Sequence, residues 1–175
     1  MTVIWRFLVL VALLFWQGGF FFYAAVVVPV GQEELGNHIA QGFITRKVTN
    51  HLNLAGVAAL VFLGADVALP DRVRWRRWSR GLAWLALAVL LGCLYWLHGR
   101  MDAALNPEER FVLDPITFRS NHRVYLWVST IQWAFGLAYL VLTLAAWRAA
   151  DRQIFAPKLE KELLDEEKTE VERSR

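Results

Sequence analysis

Cysteine and charged residues are both scarce in this chain of 175 residues. Cys93 is the single cysteine, which excludes an intramolecular disulfide, a cysteine-rich zinc site and a CxxC redox centre. Charged residues make up 20% of the chain and hydrophobic residues 57%, whereas soluble domains have about 25% and about 45–50%. The composition therefore excludes an ordinary soluble enzyme and indicates a membrane protein.

The hydrophobic residues lie in four long blocks that are separated by polar loops. A membrane-spanning helix needs about 17–25 mainly apolar residues, and the blocks predict spans at about 7–30, 50–69, 81–98 and 123–147. Pro29 and Gly31 are expected to end the first helix, and Pro70 the second. We therefore predict an all-α fold, a transmembrane four-helix bundle over 1–150, followed by a charged C-terminal tail at 151–175.

Basic residues near the predicted spans indicate the orientation of the bundle. Ten of them fall on the side of the two termini: Arg6, Arg72, Arg74, Arg76, Arg77, Arg80, Arg148, Arg152, Lys158 and Lys161. Six fall on the other side, over longer loops: Arg46, Lys47, Arg100, Arg110, Arg119 and Arg123. The positive-inside rule then predicts that both termini are cytoplasmic. Because membrane topology already explains the net charge of +3, nucleic acid is not expected as a partner.

All four histidines fall on the face that is predicted to be outside. His51, His98 and His122 come from three different helices at similar depth, and Asp102 follows His98 by one helical turn. Neutral imidazole binds haem iron, copper or zinc, and helix bundles build such sites from facing helices. One hypothesis is a haem- or copper-binding protein with these three histidines and Asp102 at the site. The alternative is half-buried histidines with ordinary hydrogen bonds.

Five basic residues surround the same predicted outer mouth, namely Arg46, Lys47, Arg100, Arg119 and Arg123. A cleft with this charge attracts a small anion or an anionic lipid headgroup, which makes a small-anion or lipid transporter or binder another hypothesis. Basic side chains that extend from a span to the membrane surface would give the same pattern.

A few polar residues interrupt the predicted spans. Gln17 lies in the first span, and Ser129 and Gln132 lie in the fourth. An amide within hydrocarbon needs a hydrogen-bond partner, so these side chains are predicted to face the bundle interior, where bonding between helices is favoured over the lining of a path. Asp66, the single acid inside an apolar block, is expected to reach water or the arginines of the following loop.

Short motifs carry a resemblance to a known family. They are Gly18-Gly19-Phe20-Phe21-Phe22 with Val28-Pro29, the segment 46–53 that enters the second span, and Phe118-Arg119-Ser120-Asn121-His122 before the fourth. The chain resembles the transmembrane-protein-205-like four-span membrane proteins, a domain of unknown function that is similar in layout to the copper-resistance D-like group. The resemblance implies a compact four-helix bundle with a polar outer mouth, and its copper-related relatives imply metal handling.

Motifs of soluble catalysis are missing from the sequence, which has no P-loop, no GxGxxG and no Ser/His/Asp or Cys/His nucleophile set. We therefore predict a multi-pass protein of the inner or plasma membrane that acts as a non-enzymatic membrane component. Its expected partners are the lipid bilayer and either the subunits of a membrane complex or further copies of itself. Haem and copper are the cofactors that the histidine hypothesis would require.

Overall fold

A computed structural model of the chain describes residues 2–69, 73–106 and 111–173, with side chains at all of these positions except 38, 154 and 156–173. Its helices are α1 (Val3–Phe22), α2 (Val28–Leu35), α3 (His38–Ala68), α4 (Arg74–Asp102) and α5 (Pro115–Arg173). A π-helical turn, Tyr23–Val27, joins α1 to α2, and two short strands, β1 (Leu105–Asn106) and β2 (Phe111–Val112), pair antiparallel before α5. The all-α class is thereby confirmed for the described residues.

Four helical stretches are long and apolar enough to cross a membrane. They are Val3–Leu35, Ile39–Ala68, Arg74–Asp102 and Pro115–Gln153. Each overlaps one predicted span and begins before it, because polar residues at the span ends are also helical. The prediction of four membrane-length helices is confirmed, whereas the side chains of His38 and of the charged tail beyond residue 155 lie outside the described residues.

The first helix continues beyond Pro29 and Gly31, so the prediction that these residues end it is wrong. In the π-helical turn, the backbone N–H of Val28 donates to the carbonyl of Tyr23, five residues earlier. Pro29 then falls in the first turn of α2, where a missing N–H is tolerated. The helix ends instead at Gly36, whose φ of 55° is the left-handed conformation that favours glycine.

A tight turn connects α2 to α3. Asn37 caps α3, because its Oδ1 accepts hydrogen bonds from the backbone N–H groups of Ile39 at 2.9 Å and Ala40 at 3.3 Å. The cap starts α3 well before the apolar block. The polar segment that precedes residue 50 is therefore helical, and it places Arg46 and Thr49 on the same helix as the second span.

The four long helices alternate in direction because each connection is short. α1 packs on α3, α3 on α4 and α4 on α5. α5 returns to α1, where the ring of Trp133 stacks on Phe21 with centroids 5.7 Å apart and Gly136 faces Gln17. This closed order is that of an up-down-up-down four-helix bundle.

Two polar regions mark the opposite ends of this bundle. The Asp66 end is defined by Arg6, Asp66, Arg80 and Asp151, and the Asp102 end by Arg46, His98 and Asp102. The larger apolar core, which includes Leu13, Trp16, Leu63, Leu87 and Tyr139, lies towards the Asp66 end. A smaller cluster of Leu94, Leu97, Met101 and Tyr125 lies towards the Asp102 end.

Candidate functional site

An ion pair joins α3 to α4 at the Asp102 end. Arg46 Nε donates to Asp102 Oδ1 at 2.6 Å, and Arg46 Nη2 donates to Oδ2 at 3.2 Å. His98 lies one turn before Asp102, with its Nε2 3.7 Å from Asp102 Oδ2. The side chains of Arg46 and Asp102 are 31% and 30% exposed, so water reaches and screens the pair.

Of the predicted metal-site residues, the structure brings His98 and Asp102 together. His98 is buried. His51 and His122 lie at exposed positions, where His51 Nδ1 is 2.8 Å from the Lys47 carbonyl oxygen and the His122 ring stacks on Phe118. Among the described residues, no group of three or more His, Cys, Asp or Glu side chains is arranged to hold a metal ion. The haem or copper site therefore stays a prediction.

The basic residues of the predicted mouth are found in different surroundings. Arg46 is bound by Asp102, and the guanidinium of Arg100 lies over the Trp96 ring, 5.5 Å from its centroid. Lys47, Arg119 and Arg123 are exposed. The last two lie one turn apart on α5. An anion site at this mouth also stays a prediction.

Gln17, Ser129 and Gln132 are all buried between the helices. Gln17 of α1 lies against Gly136 of α5, where a Cβ atom would come within 2.8 Å of the Gln17 Cδ atom. Glycine at this position therefore leaves space for the amide between the two helices. Ser129 Oγ donates to the carbonyl of Leu126 at 2.9 Å, within its own helix.

The buried face of α5 carries a polar stripe, which we call the α5 stripe. Its members are Tyr125, Ser129, Gln132, Tyr139 and Thr143, all of them buried. Thr143 follows Tyr125 by 18 residues, which at about 1.5 Å per residue corresponds to about 27 Å. The hydrocarbon core of a bilayer is about 30 Å thick. The stripe therefore extends over nearly the whole length of a membrane-spanning helix.

Some polar atoms beside the α5 stripe are buried and make no hydrogen bond within the described part of the chain. They are Gln17 Nε2, Asn53 Nδ2, Gln132 Nε2 and His98 Nδ1. Each such atom costs about 1–3 kcal/mol when it is left without a partner. These atoms come from all four long helices, so buried polar groups occur beside the apolar core at several levels of the bundle.

The Asp66 end holds a second ion pair, which is fully enclosed. Arg80 of α4 donates to the Asp66 carboxylate of α3, and the two side chains are 5% and 0% exposed. Arg80 Nε donates to Thr143 Oγ1 at 3.3 Å, which connects the pair to the α5 stripe. Tyr139 of the same stripe donates to the carbonyl of Leu63 at 3.0 Å. Three helices are joined around one buried carboxylate.

Aromatic and charged side chains close this end of the bundle. The indole groups of Trp5 and Trp147 lie beside the Asp66 carboxylate. Arg6 makes a two-point ion pair with Asp151, at 2.7 Å and 2.6 Å, and its guanidinium lies over the Trp147 ring. The first and last spans are therefore held together directly above the buried pair.

The burial of Arg80 differs from its predicted place in a basic surface loop. α4 begins at Arg74, so Arg80 lies almost two turns inside the helix, and its side chain faces the core. One signal in the sequence was available: Asp66, near the end of the second apolar block, and Arg80, directly before the third, flank the same short connection. In antiparallel helices such residues lie at similar depth, where the acid and the base can pair.

Comparisons with protein-family models, with curated proteins and with solved structures give no match to this chain.

Proposed function

We propose that this chain is a four-span integral protein of the inner or plasma membrane, with both termini and the Asp66 end in the cytoplasm, that acts as a non-enzymatic membrane component. The observation that carries the proposal is the distribution of polarity. Phe15, Val61 and Val141 are exposed on the outer surface, whereas Asn53 and Gln132 are buried. Lipid solvates the former, and the enclosed interior shields the latter.

Cysteine labelling tests both the number of spans and their direction. In a Cys93→Ala background, Ala103→Cys and Ala150→Cys are matched substitutions at exposed positions near the two ends of the bundle. A maleimide that does not cross membranes should label position 103 in intact cells and position 150 only after permeabilisation. The reverse pattern contradicts the orientation. Labelling of both positions from one side contradicts a membrane crossing by the fourth span, which lies between them.

The α5 stripe supports a second candidate, a path for protons through the bundle interior. His98 and Asp66 are titratable groups near its two ends, and the hydroxyl and amide groups of Ser129, Gln132 and Thr143 lie between them. Ionisable residues enclosed in membrane bundles mark ion pathways and proton relays. The buried hydroxyl and amide groups along the stripe favour this candidate, because such groups can hydrogen-bond a chain of water molecules.

Purified protein in liposomes that contain a pH-sensitive dye tests the proton path. A potassium gradient with valinomycin supplies the driving potential, and the parent protein should acidify or alkalinise the lumen faster than empty liposomes. Gln132→Leu should reduce the flux to that of empty liposomes. Gln153→Leu makes the same exchange at an exposed position of α5 and should leave the flux unchanged. Equal flux in parent protein and empty liposomes rejects the path.

A further inference from the structure

We infer that the bundle binds one anionic phospholipid in a crevice between α1 and α5 at the Asp66 end. The crevice has a volume of about 520 Å³, and its walls include Arg6, Leu144, Trp147, Arg148, Asp151 and Arg152. It is separate from the predicted mouth at the Asp102 end. The inference rests on the proposed membrane location but not on the proposed orientation or on a proton path.

Among the side chains that the structure describes, the positive charge of the crevice is only partly balanced. Arg6 is neutralised by Asp151, which it binds through two hydrogen bonds. Arg148 and Arg152 lie one turn apart on the same helix and are exposed, and no ion pair joins either to the described residues. Like charges at this spacing repel each other. A phosphate group between the two guanidinium groups would remove that repulsion and accept their hydrogen bonds.

The apolar wall of the crevice identifies the ligand as a lipid. Leu144 lies one turn before Arg148 on the side of the membrane-spanning segment, and it is 45% exposed. Trp147, next to Arg148 in the sequence, provides an aromatic part of the crevice wall. An occupant must therefore place a negative charge beside the arginines and an acyl chain along Leu144. Basic crevices between spans bind anionic headgroups in this way.

Native mass spectrometry in an uncharged detergent tests the inference with phosphatidylglycerol as the probe. We expect tighter binding of phosphatidylglycerol than of phosphatidylcholine. The R148Q/R152Q variant should bind phosphatidylglycerol about 30-fold more weakly, or about fivefold for each arginine removed. Both side chains are exposed, so the unfolding temperature of the lipid-free variant should equal that of the parent protein.

The R74Q/R77Q variant is the matched control, because it removes two exposed arginines that lie one turn apart on α4, at the same end of the bundle but outside the crevice. It should bind phosphatidylglycerol like the parent protein. An equal loss in this control would overturn the assignment to the α1–α5 crevice. Equal affinity for phosphatidylcholine would overturn the claim that the site selects an anionic headgroup. Equal affinity for glycerol 3-phosphate would overturn the claim that the ligand is a lipid and would assign the site to a soluble phosphate ester. The labelling experiment remains a separate test of the membrane orientation.

Discussion

Each end of the bundle has an aspartate that pairs with an arginine from a neighbouring helix, but the two pairs differ in their access to water. The side chains of Asp66 and Arg80 are 0% and 5% exposed, whereas those of Asp102 and Arg46 are 30% and 31% exposed. Both pairs connect α3 to α4. The comparison therefore separates the effect of burial from the effect of the residues involved.

Because the Asp66–Arg80 pair is buried, loss of one partner is strongly destabilising, although the intact pair adds little net stability to the fold. Removing two charges from water costs free energy that their attraction repays only when both are present. At the Asp102 end, water screens the charges and solvates either partner when the other is absent. Removal of one partner of the same aspartate–arginine pair should therefore lower the free energy of unfolding strongly at the Asp66 end and only slightly at the Asp102 end.

The largest effect is expected from Arg80→Leu. This change leaves the Asp66 carboxylate buried without its partner and should lower the free energy of unfolding in detergent by about 3–5 kcal/mol. The double variant Asp66→Leu/Arg80→Leu removes both charges and should be more stable than Arg80→Leu alone. A double variant that is less stable than the single one would show that burial of an unpaired charge is not the cause.

A smaller effect is expected from Thr143→Val, which removes the hydroxyl that accepts a hydrogen bond from Arg80. The loss should be about 1–3 kcal/mol in the free energy of unfolding, because the buried guanidinium keeps one donor without a partner. Thr130→Val is the control, since the Thr130 hydroxyl is exposed and donates to a backbone carbonyl within its own helix. Equal losses in the two variants would contradict a specific role of the buried pair.

Arg46→Gln at the Asp102 end should have little effect. The partly exposed Asp102 remains solvated, so the free energy of unfolding should fall by about 1 kcal/mol or less, and less still in high salt. Urea or SDS titration of the purified protein at two salt concentrations measures this. A loss of unfolding free energy as large as that of Arg80→Leu would contradict the proposed difference between the two ends.

The smallest effect is expected from a low pH. It acts on the cap that Asp114 forms at the start of α5, on the Asp102 side of the bundle. Hydrogen bonds from Thr117, and a weaker one from Ile116, lower the pKa of Asp114 below its usual value. The cap is therefore fully present above the carboxyl's usual pKa of about 3.9 and is lost as the pH falls through the lowered value of the folded state.

Hydrogen exchange measures the loss of this cap at the Ile116 and Thr117 amides, which both donate to Asp114 Oδ1. Their protection should fall in acid. The Ile39 and Ala40 amides, which donate in the same pattern to the non-titrating Asn37, should keep their protection over the same pH range. Parallel loss at both caps would indicate general unfolding instead of protonation of Asp114.

The sequence was sufficient to predict four membrane-length helices, because the apolar blocks have the length of a span and the polar loops separate them. It was insufficient at Pro29, since a π-helical turn before the proline shifts the backbone hydrogen bonds and lets the helix continue to Leu35. Local propensity gives no warning of such a turn. The strand pair before α5 was also missed, because two-residue strands carry no periodicity.

The polar interior was harder to predict than the spans. Gln17 and Gln132 were identifiable as amides in apolar blocks. Arg80 was missed because a count of basic residues assigns charge to a side of the membrane and does not say which face of a helix points inward. The histidines show the same limit: His98 is buried whereas His51 is exposed, although both lie near the Asp102 end.

Two double-mutant cycles measure the contrast between the ends most directly. One combines Asp66→Asn with Arg80→Gln, and the other combines Asp102→Asn with Arg46→Gln, with unfolding free energies measured in the same detergent. The account predicts a coupling energy of several kcal/mol at the Asp66 end and about 1 kcal/mol or less at the Asp102 end. Equal coupling energies at the two ends would contradict it.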